Sequence, residues 1–461
     1  MFLVVSNLVQ EGMFFDGTTY ASISRNLAEG NGDILGWKLV YTNTLLNPFY
    51  EHPPLGIIIQ SFFFKIFGDH FFVERVYSFL TAIISCVLII KTWRFINEGN
   101  EILTSLSWFP VLLWIITPIV FWSYSNNMLE NTMVIFDLAA VYLLLPTLNS
   151  KKLNLFRLTL AGIMILFAFL TKGPVGLFPI FIPYLSFSIL KNTSFYKASI
   201  QTLLIFSAAS FILIIYLYLN SNACKVFLSY VNDQIFKSLQ GAREVNSHGR
   251  LYIIERLLME LIPLGVFCFL LYLYSKIKKS KIKAFSKSNQ FAYFFAALGL
   301  GGSLPIIISV KQSGFYLVPA MPFFAISFAL FFAPYLNQFI SNIQIEKKYL
   351  IRLKIFSILL FSLSIFFTLF KFGKINRNQD LISDIYKIGS IVPEKSIVSI
   401  SPLNFDDWNM HAYLMRYFKI SLDDKNELAY YLVYKNSSDS ILVKYTKLNL
   451  DTKVYDLYEI K

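Results

Sequence analysis

Apolar runs of about 20 residues recur along most of this 461-residue chain, and about 20 residues is what a helix needs to cross the hydrocarbon core of a bilayer. They lie at roughly 70 to 90, 102 to 122, 128 to 148, 155 to 170, 173 to 190, 198 to 219, 251 to 275, 290 to 310, 315 to 335 and 351 to 372. A backbone surrounded by lipid must satisfy its polar groups internally, so such runs become helices. The expected fold is an all-α polytopic membrane protein of about ten or eleven spans. The Phe-rich run 55 to 67, with Lys65 inside it, is short for a crossing and suits an interfacial or re-entrant helix. Composition agrees, since only 15% of residues are charged against roughly 25% in a soluble domain.

The positive charge is concentrated. Loops 91–101, 149–157, 191–198, 275–288 and 337–354 together hold 17 basic and 3 acidic residues, whereas the last 88 residues hold 12 of each. Lys and Arg in short loops mark the cytoplasmic side. The formal net charge of +13 is therefore a topology signal and argues against a nucleic-acid partner. The remaining loops, 1–69, 122–128, 171–174, 220–250 and 311–314, fall outside, with everything after 373. Balanced charge and strand-like alternation at Ser396–Ile400 and Ile441–Tyr445 make 374–461 a small soluble α/β or α+β extracytoplasmic domain, behind a membrane domain 1–373. Cys86, Cys224 and Cys268 are odd in number and give neither a disulfide framework nor metal-ligand spacing.

The outer stretch 11–69 carries the residues for chemistry. Glu51-His52-Pro53-Pro54-Leu55 follows Asp16-Gly17 by about 35 residues. An acid, an imidazole and a rigid proline pair beside the first spans suit an enzyme at the water–lipid boundary, and a plain helix bundle has no use for them. Four segments occur in a definite order: Asp16 to Leu27, Phe49 to Leu55, Leu170-Thr171-Lys172-Gly173-Pro174, and Lys311 with Tyr316 to Pro322. Together they resemble the polyprenyl-phosphate-sugar glycosyltransferases of the GT-C fold, the group of dolichyl-phosphate-mannose protein mannosyltransferases and the aminoarabinose lipid A transferase. Two departures stand out. Family members have a spanning helix before the catalytic aspartate, where only Met1 to Gln10 precede Glu11, and many carry Asp-Glu where this chain has Asp16-Gly17.

The resemblance implies transfer of one sugar from a polyprenyl phosphate to an acceptor, which is lipid A, another glycan or a protein. The reaction would run on the periplasmic face of a bacterial inner membrane, by direct displacement with inversion. It needs a base for the acceptor hydroxyl and cationic groups for the leaving phosphate. Asp16 is the candidate base, unless it only caps its helix. Glu130 is the second catalytic acid, or simply a carboxylate well placed at a helix N-terminus. Asp137, deeper in that span, is expected to pair with a buried Lys or Arg. Lys172, Lys311, Tyr316, Arg243 and Arg250 are donor-phosphate candidates, although Lys172 and Lys311 could merely snorkel. Tyr20, Arg25, Glu51 and His52 are substrate-binding candidates. The sequence identifies no definite cofactor, but Glu51, His52 and His248 could share a divalent cation. A transporter or flippase for a lipid-linked glycan is the main alternative, yet its broken helices paired across repeat halves and midplane charges are not seen. A non-catalytic assembly subunit is a third reading.

Overall fold

The computed structural model describes residues 2–150, 152–241, 249–278, 286–345, 347–435 and 443–461. Eight helices among them are long and apolar enough to cross a bilayer, so the polytopic all-α reading holds. The elements that position the site are α1 (Phe15–Ala28), α2 (Leu55–Phe67), α3 (Val73–Ile96), α4 (Leu129–Leu148), α5 (Leu155–Lys172), α6 (Tyr252–Ile277), α7 (Met321–Ile345) and α8 (Lys347–Lys371). Helix α4 is central, packed against α3 and α5. By contrast, α8 shows apolar side chains such as Phe356, Leu360 and Phe367 on its exposed surface, which is the pattern of a helix solvated by lipid.

Two expected spans are broken, each by proline. The run 102–122 bends by 78° between Trp108–Ile115 and Pro118–Ser125, because Pro118 lacks an N–H and starts a new helix at its first position. The Ile119 amide freed by that start donates to Glu260 Oε2 at 2.6 Å, and Glu260 is held by Arg256 at 2.7 Å. The run 173–190 carries Pro174, Pro179 and Pro183, and winds as a 3-10 turn (Pro174–Phe181), one α turn and a π turn (Ser186–Leu190). Leu55–Phe67 is a separate short helix, as its length suggests.

Asp137 overturns an expectation. Its side chain is fully buried and both carboxyl oxygens lack a hydrogen-bond partner, with no basic partner among the described residues. Nothing in the structure explains it.

Beyond α8 the chain forms a five-stranded mixed sheet, β1 (Ile397–Ile400), β2 (Ser421–Asp423), β3 (Tyr430–Tyr434), β4 (Tyr445–Lys447) and β5 (Tyr455–Ile460), in the order β2-β1-β3-β5-β4. β1 runs parallel to β2 and β3, and β5 runs antiparallel to β3 and β4. Helix α9 (Trp408–Phe418) covers the sheet and packs on α1. Arg416 of α9 pairs with Asp69 at 2.7 Å and Glu74 at 2.9 Å. Arg25 of α1 returns the grip, donating to the carbonyls of Arg416 and Met415 at 3.1 and 3.0 Å. The C-terminal unit is thus tied to the helix that carries Asp16.

Candidate active site

The start of α1 is fixed by one short turn of the membrane domain. Phe14 N–H donates to Asn126 Oδ1 at 2.7 Å, and Asn127 Nδ2 donates to the Gly17 carbonyl at 3.0 Å. Asn127 has a left-handed backbone, φ 52°, a region Asn tolerates better than most residues. Its amide oxygen accepts from Gln60 of α2 at 2.8 Å, so one side chain joins α1, α2 and the start of α4. A β-carbon at position 17 would lie 1.8 Å from the Asn126 carbonyl oxygen. The second acid found in many family members has no room here, which accounts for Gly17.

Lys172 ends α5, and the chain leaves through Gly173 at φ 102°. A β-carbon there would sit 2.0 Å from the Tyr230 hydroxyl, the tip of a side chain that would have to shift, and the positive φ by itself favours glycine. The ammonium is turned into the protein. Lys172 Nζ donates to the Tyr20 hydroxyl at 2.8 Å, lies 3.2 Å from His52 Nε2 and stands 3.4 Å from Glu130 Oε1. It also lies over the rings of Tyr20 and Phe315, at 5.0 and 5.7 Å from their centres. The lysine is 8% exposed, which rules out a snorkelling role at the water boundary.

Asp16 joins this centre through a hydrogen bond to Tyr20 and the charges of Lys172, Glu51 and Lys311. Burial pushes its carboxyl above the ordinary range; Lys172 pulls it down and Glu51 adds to the rise. Burial and the nearby Asp16 and Glu130 charges push the Tyr20 hydroxyl far above its usual value, so Tyr20 stays protonated. His52 meets Tyr20 edge to face at 5.6 Å. Five sequence-selected residues, Asp16, Tyr20, His52, Glu130 and Lys172, therefore converge, with Glu51 close enough to act on Asp16.

The second outer turn brings Lys311 and Tyr316 to the same centre, each acting electrostatically on a member of it. Gln312 anchors that turn, accepting from Ile253 N–H at 3.0 Å and donating to the Arg250 carbonyl at 2.9 Å. The Arg250 side chain is exposed beside this turn. Arg243 and His248 lie outside the described residues. Arg25, expected at the substrate, is only 1% exposed and its guanidinium is committed to the α9 carbonyls, Asn26 and Asp69. Ten residues along a helix from Asp16 cover about 15 Å, and Arg25 lies nine residues away, so it stands too far off for the reacting atoms. Among the described residues, no three His, Cys, Asp or Glu side chains come together to hold a metal ion.

Three features escaped sequence reasoning. Asn126 and Asn127 organise the site, and the visible signal was a polar pair immediately before a span. Phe14, Trp122 and Phe315 form an aromatic wall, with Trp122 and Phe315 stacked at 6.0 Å; among 47 phenylalanines no signal marked these. A narrow apolar slot runs beside His52, lined by Trp37, Leu39, Phe49, Pro54, Phe227 and Tyr230.

A search of curated proteins gives no match. The family described as dolichyl-phosphate-mannose-protein mannosyltransferase matches residues 51–215, a stretch that includes His52, Glu130 and Lys172. Among solved structures, ArnT from Cupriavidus metallidurans bound to undecaprenyl phosphate superposes with a TM-score of 0.68 at 12% identity, over 99% of this chain and 95% of that one. The same protein in its apo state gives 0.67 at 11%, with the same coverage. The chain is a multi-pass membrane protein that shares the fold of ArnT, and its residues 51–215 match the family described as dolichyl-phosphate-mannose-protein mannosyltransferase.

Proposed function

We propose that this chain is a glycosyltransferase that moves one sugar from a polyprenyl phosphate to an acceptor hydroxyl, on the periplasmic face of a bacterial inner membrane. The observation that carries the reading is the meeting of a carboxylate, a phenol, an imidazole and an ammonium, drawn from three segments of the chain, in one buried centre. The family match and the undecaprenyl phosphate in the ArnT structure support a lipid-phosphate donor. The apolar slot beside His52 suits the first units of its hydrocarbon chain.

In this reading the acceptor oxygen attacks the anomeric carbon while its proton passes to Asp16. The bond from that carbon to the phosphate oxygen breaks, and polyprenyl phosphate departs with the electron pair. Attack opposite the leaving group inverts the anomeric centre. Lys172 faces the developing phosphate charge in a water-poor site, where such a cation acts most strongly, and Glu130 holds it there. Lys311 is the second cation, with Tyr316 beside it. The lysines supply the positive charge, so transfer is expected to persist in excess chelator; a loss restored by magnesium would instead favour a cation at Glu51 and His248. Lipid A, another glycan and a protein all remain acceptors to be tried.

The test is release of free polyprenyl phosphate by purified protein supplied with donor and acceptor in detergent. Release that falls at least about a hundredfold in Asp16→Asn, within the range a general base contributes, supports the reading. Donor recovered intact with every acceptor would turn it toward a carrier of lipid-linked sugar.

A further inference from the structure

A second cavity, of about 500 Å³, opens between the outer stretch 29–47 and the C-terminal domain. That size falls among known ligand sites, roughly 300 to 1,000 Å³. Side chains of the outer stretch alternate around it: Trp37 and Leu39 line the apolar slot beside His52, while Lys38 and Val40 line the cavity. One short segment thus separates an apolar compartment from a polar one.

The polar compartment is basic. Lys38, Lys395 and Lys419 face it against Glu29 alone. Lys419 is committed to Glu29 at 2.6 Å and Asp69 at 3.3 Å. Lys38 and Lys395 are exposed, with no ion pair among the described residues. Asn43 and Asn47 add amide groups to the lining, which can both donate to and accept from hydroxyls. The floor is rigid, because Asn26 Nδ2 donates to the carbonyls of Val40 and Tyr41 at 3.0 and 2.8 Å. Among the described residues, the lining holds no aromatic side chain.

We propose that this cleft holds an anionic sugar unit of the acceptor, one that bears a phosphate or a carboxylate. The proposal rests on the transferase reading and adds a distance to it. Asn26 at the cleft and Asp16 at the reactive centre stand ten residues apart on α1, about 15 Å at 1.5 Å per residue. The acceptor is then longer than one sugar ring, with its charge anchored at the C-terminal domain and its hydroxyl at Asp16.

The test uses the full chain in detergent, titrated calorimetrically with a phosphorylated glucosamine disaccharide and with its unphosphorylated form. The phosphorylated sugar is expected to bind at least about tenfold more tightly, equivalent to about 1.4 kcal/mol, with the advantage shrinking as salt rises. The double variant Lys38→Gln/Lys395→Gln should lose that advantage, and Lys38→Arg/Lys395→Arg should keep most of it; a melting curve for each verifies folding. Equal binding of the two sugars, or an advantage unchanged in the glutamine variant, overturns the proposal. A lipid-anchored form of the disaccharide that displaces the free one identifies a glycolipid acceptor, and displacement by free sugar alone identifies a soluble one. Failure of the transferase reading is recognised separately, by the absence of polyprenyl phosphate release.

Discussion

Asp16 links position to chemistry through burial. Its carboxyl lies above the usual range because burial outweighs the pull of Lys172, so the charged form is disfavoured in the folded protein. The sign follows from linkage: a carboxyl raised by folding adds stability at low pH, and that contribution is lost as pH rises through the raised value. Catalysis runs the other way, since only the charged form accepts a proton. Transfer should therefore climb with pH through a value above the ordinary carboxylate range. Lys172→Ala, which removes the largest lowering influence, should move that limb higher still, as residual rates across pH would reveal. Asp16→Asn should lose transfer yet melt no lower than the parent at neutral pH, and a large drop in melting temperature would mark Asp16 as structural. Gly17 offers a second check. Gly17→Ala forces a methyl group against the Asn126 carbonyl, and overpacking of this kind costs about 1–3 kcal/mol. Lower melting with reduced transfer is expected; unchanged melting would show that the turn gives way. At this scale the sequence displayed the reactive side chains, since an acid, a lysine and a histidine stand out in an apolar chain. It did not reveal that Arg25 serves the domain contact, because spacing along α1 says nothing about what meets its far end.

The elements hold the site through buried charge. Helix α9 contributes Arg416, 4% exposed, which meets Asp69 and Glu74 on the membrane domain. Stranding one side of a buried pair costs roughly 3–5 kcal/mol. Here Glu74 keeps Arg75 at 3.0 Å, and Asp69 keeps Lys419 at 3.3 Å, which places Arg416→Ala near the lower bound. Thermal melting in detergent should fall accordingly, and the C-terminal unit should become the first region cut by protease. Arg416→Lys should recover only part, because an ammonium cannot reproduce a guanidinium that bonds two carboxylates and a carbonyl. A protease pattern unchanged in Arg416→Ala would show that the remaining contacts suffice. Helix content was legible from run length alone. The breaks at Pro118 and within 174–190 were visible as prolines, but whether proline kinks a span or ends it depends on who satisfies the freed amide. At Ile119 that partner is Glu260, 141 positions away, and no local pattern could supply it.

The whole molecule is organised by which side of the membrane each loop faces, and here the charge pattern makes the strongest claim. Asp16, His52, Lys172 and the C-terminal domain belong to one face in the structure, as the alternation of basic loops requires. In sequence Lys151 and Lys152 follow α4, and Arg157 comes in the first turn of α5; burying each charge at mid-membrane costs about 2.5–3.5 kcal/mol on insertion scales. Such a loop is expected to stay where it is made, in the cytoplasm. Ser390 and Lys152 are both exposed and fall on opposite sides by this argument. With Cys86, Cys224 and Cys268 replaced by serine, Ser390→Cys should react with a membrane-impermeant maleimide in intact spheroplasts, and Lys152→Cys only after lysis. The reverse pattern would place the Asp16 centre in the cytoplasm, where a nucleotide sugar could reach it, and would remove the reason for a lipid-carried donor. Labelling of both sites in intact cells would mean instead that the short basic loops do not hold the chain in one orientation.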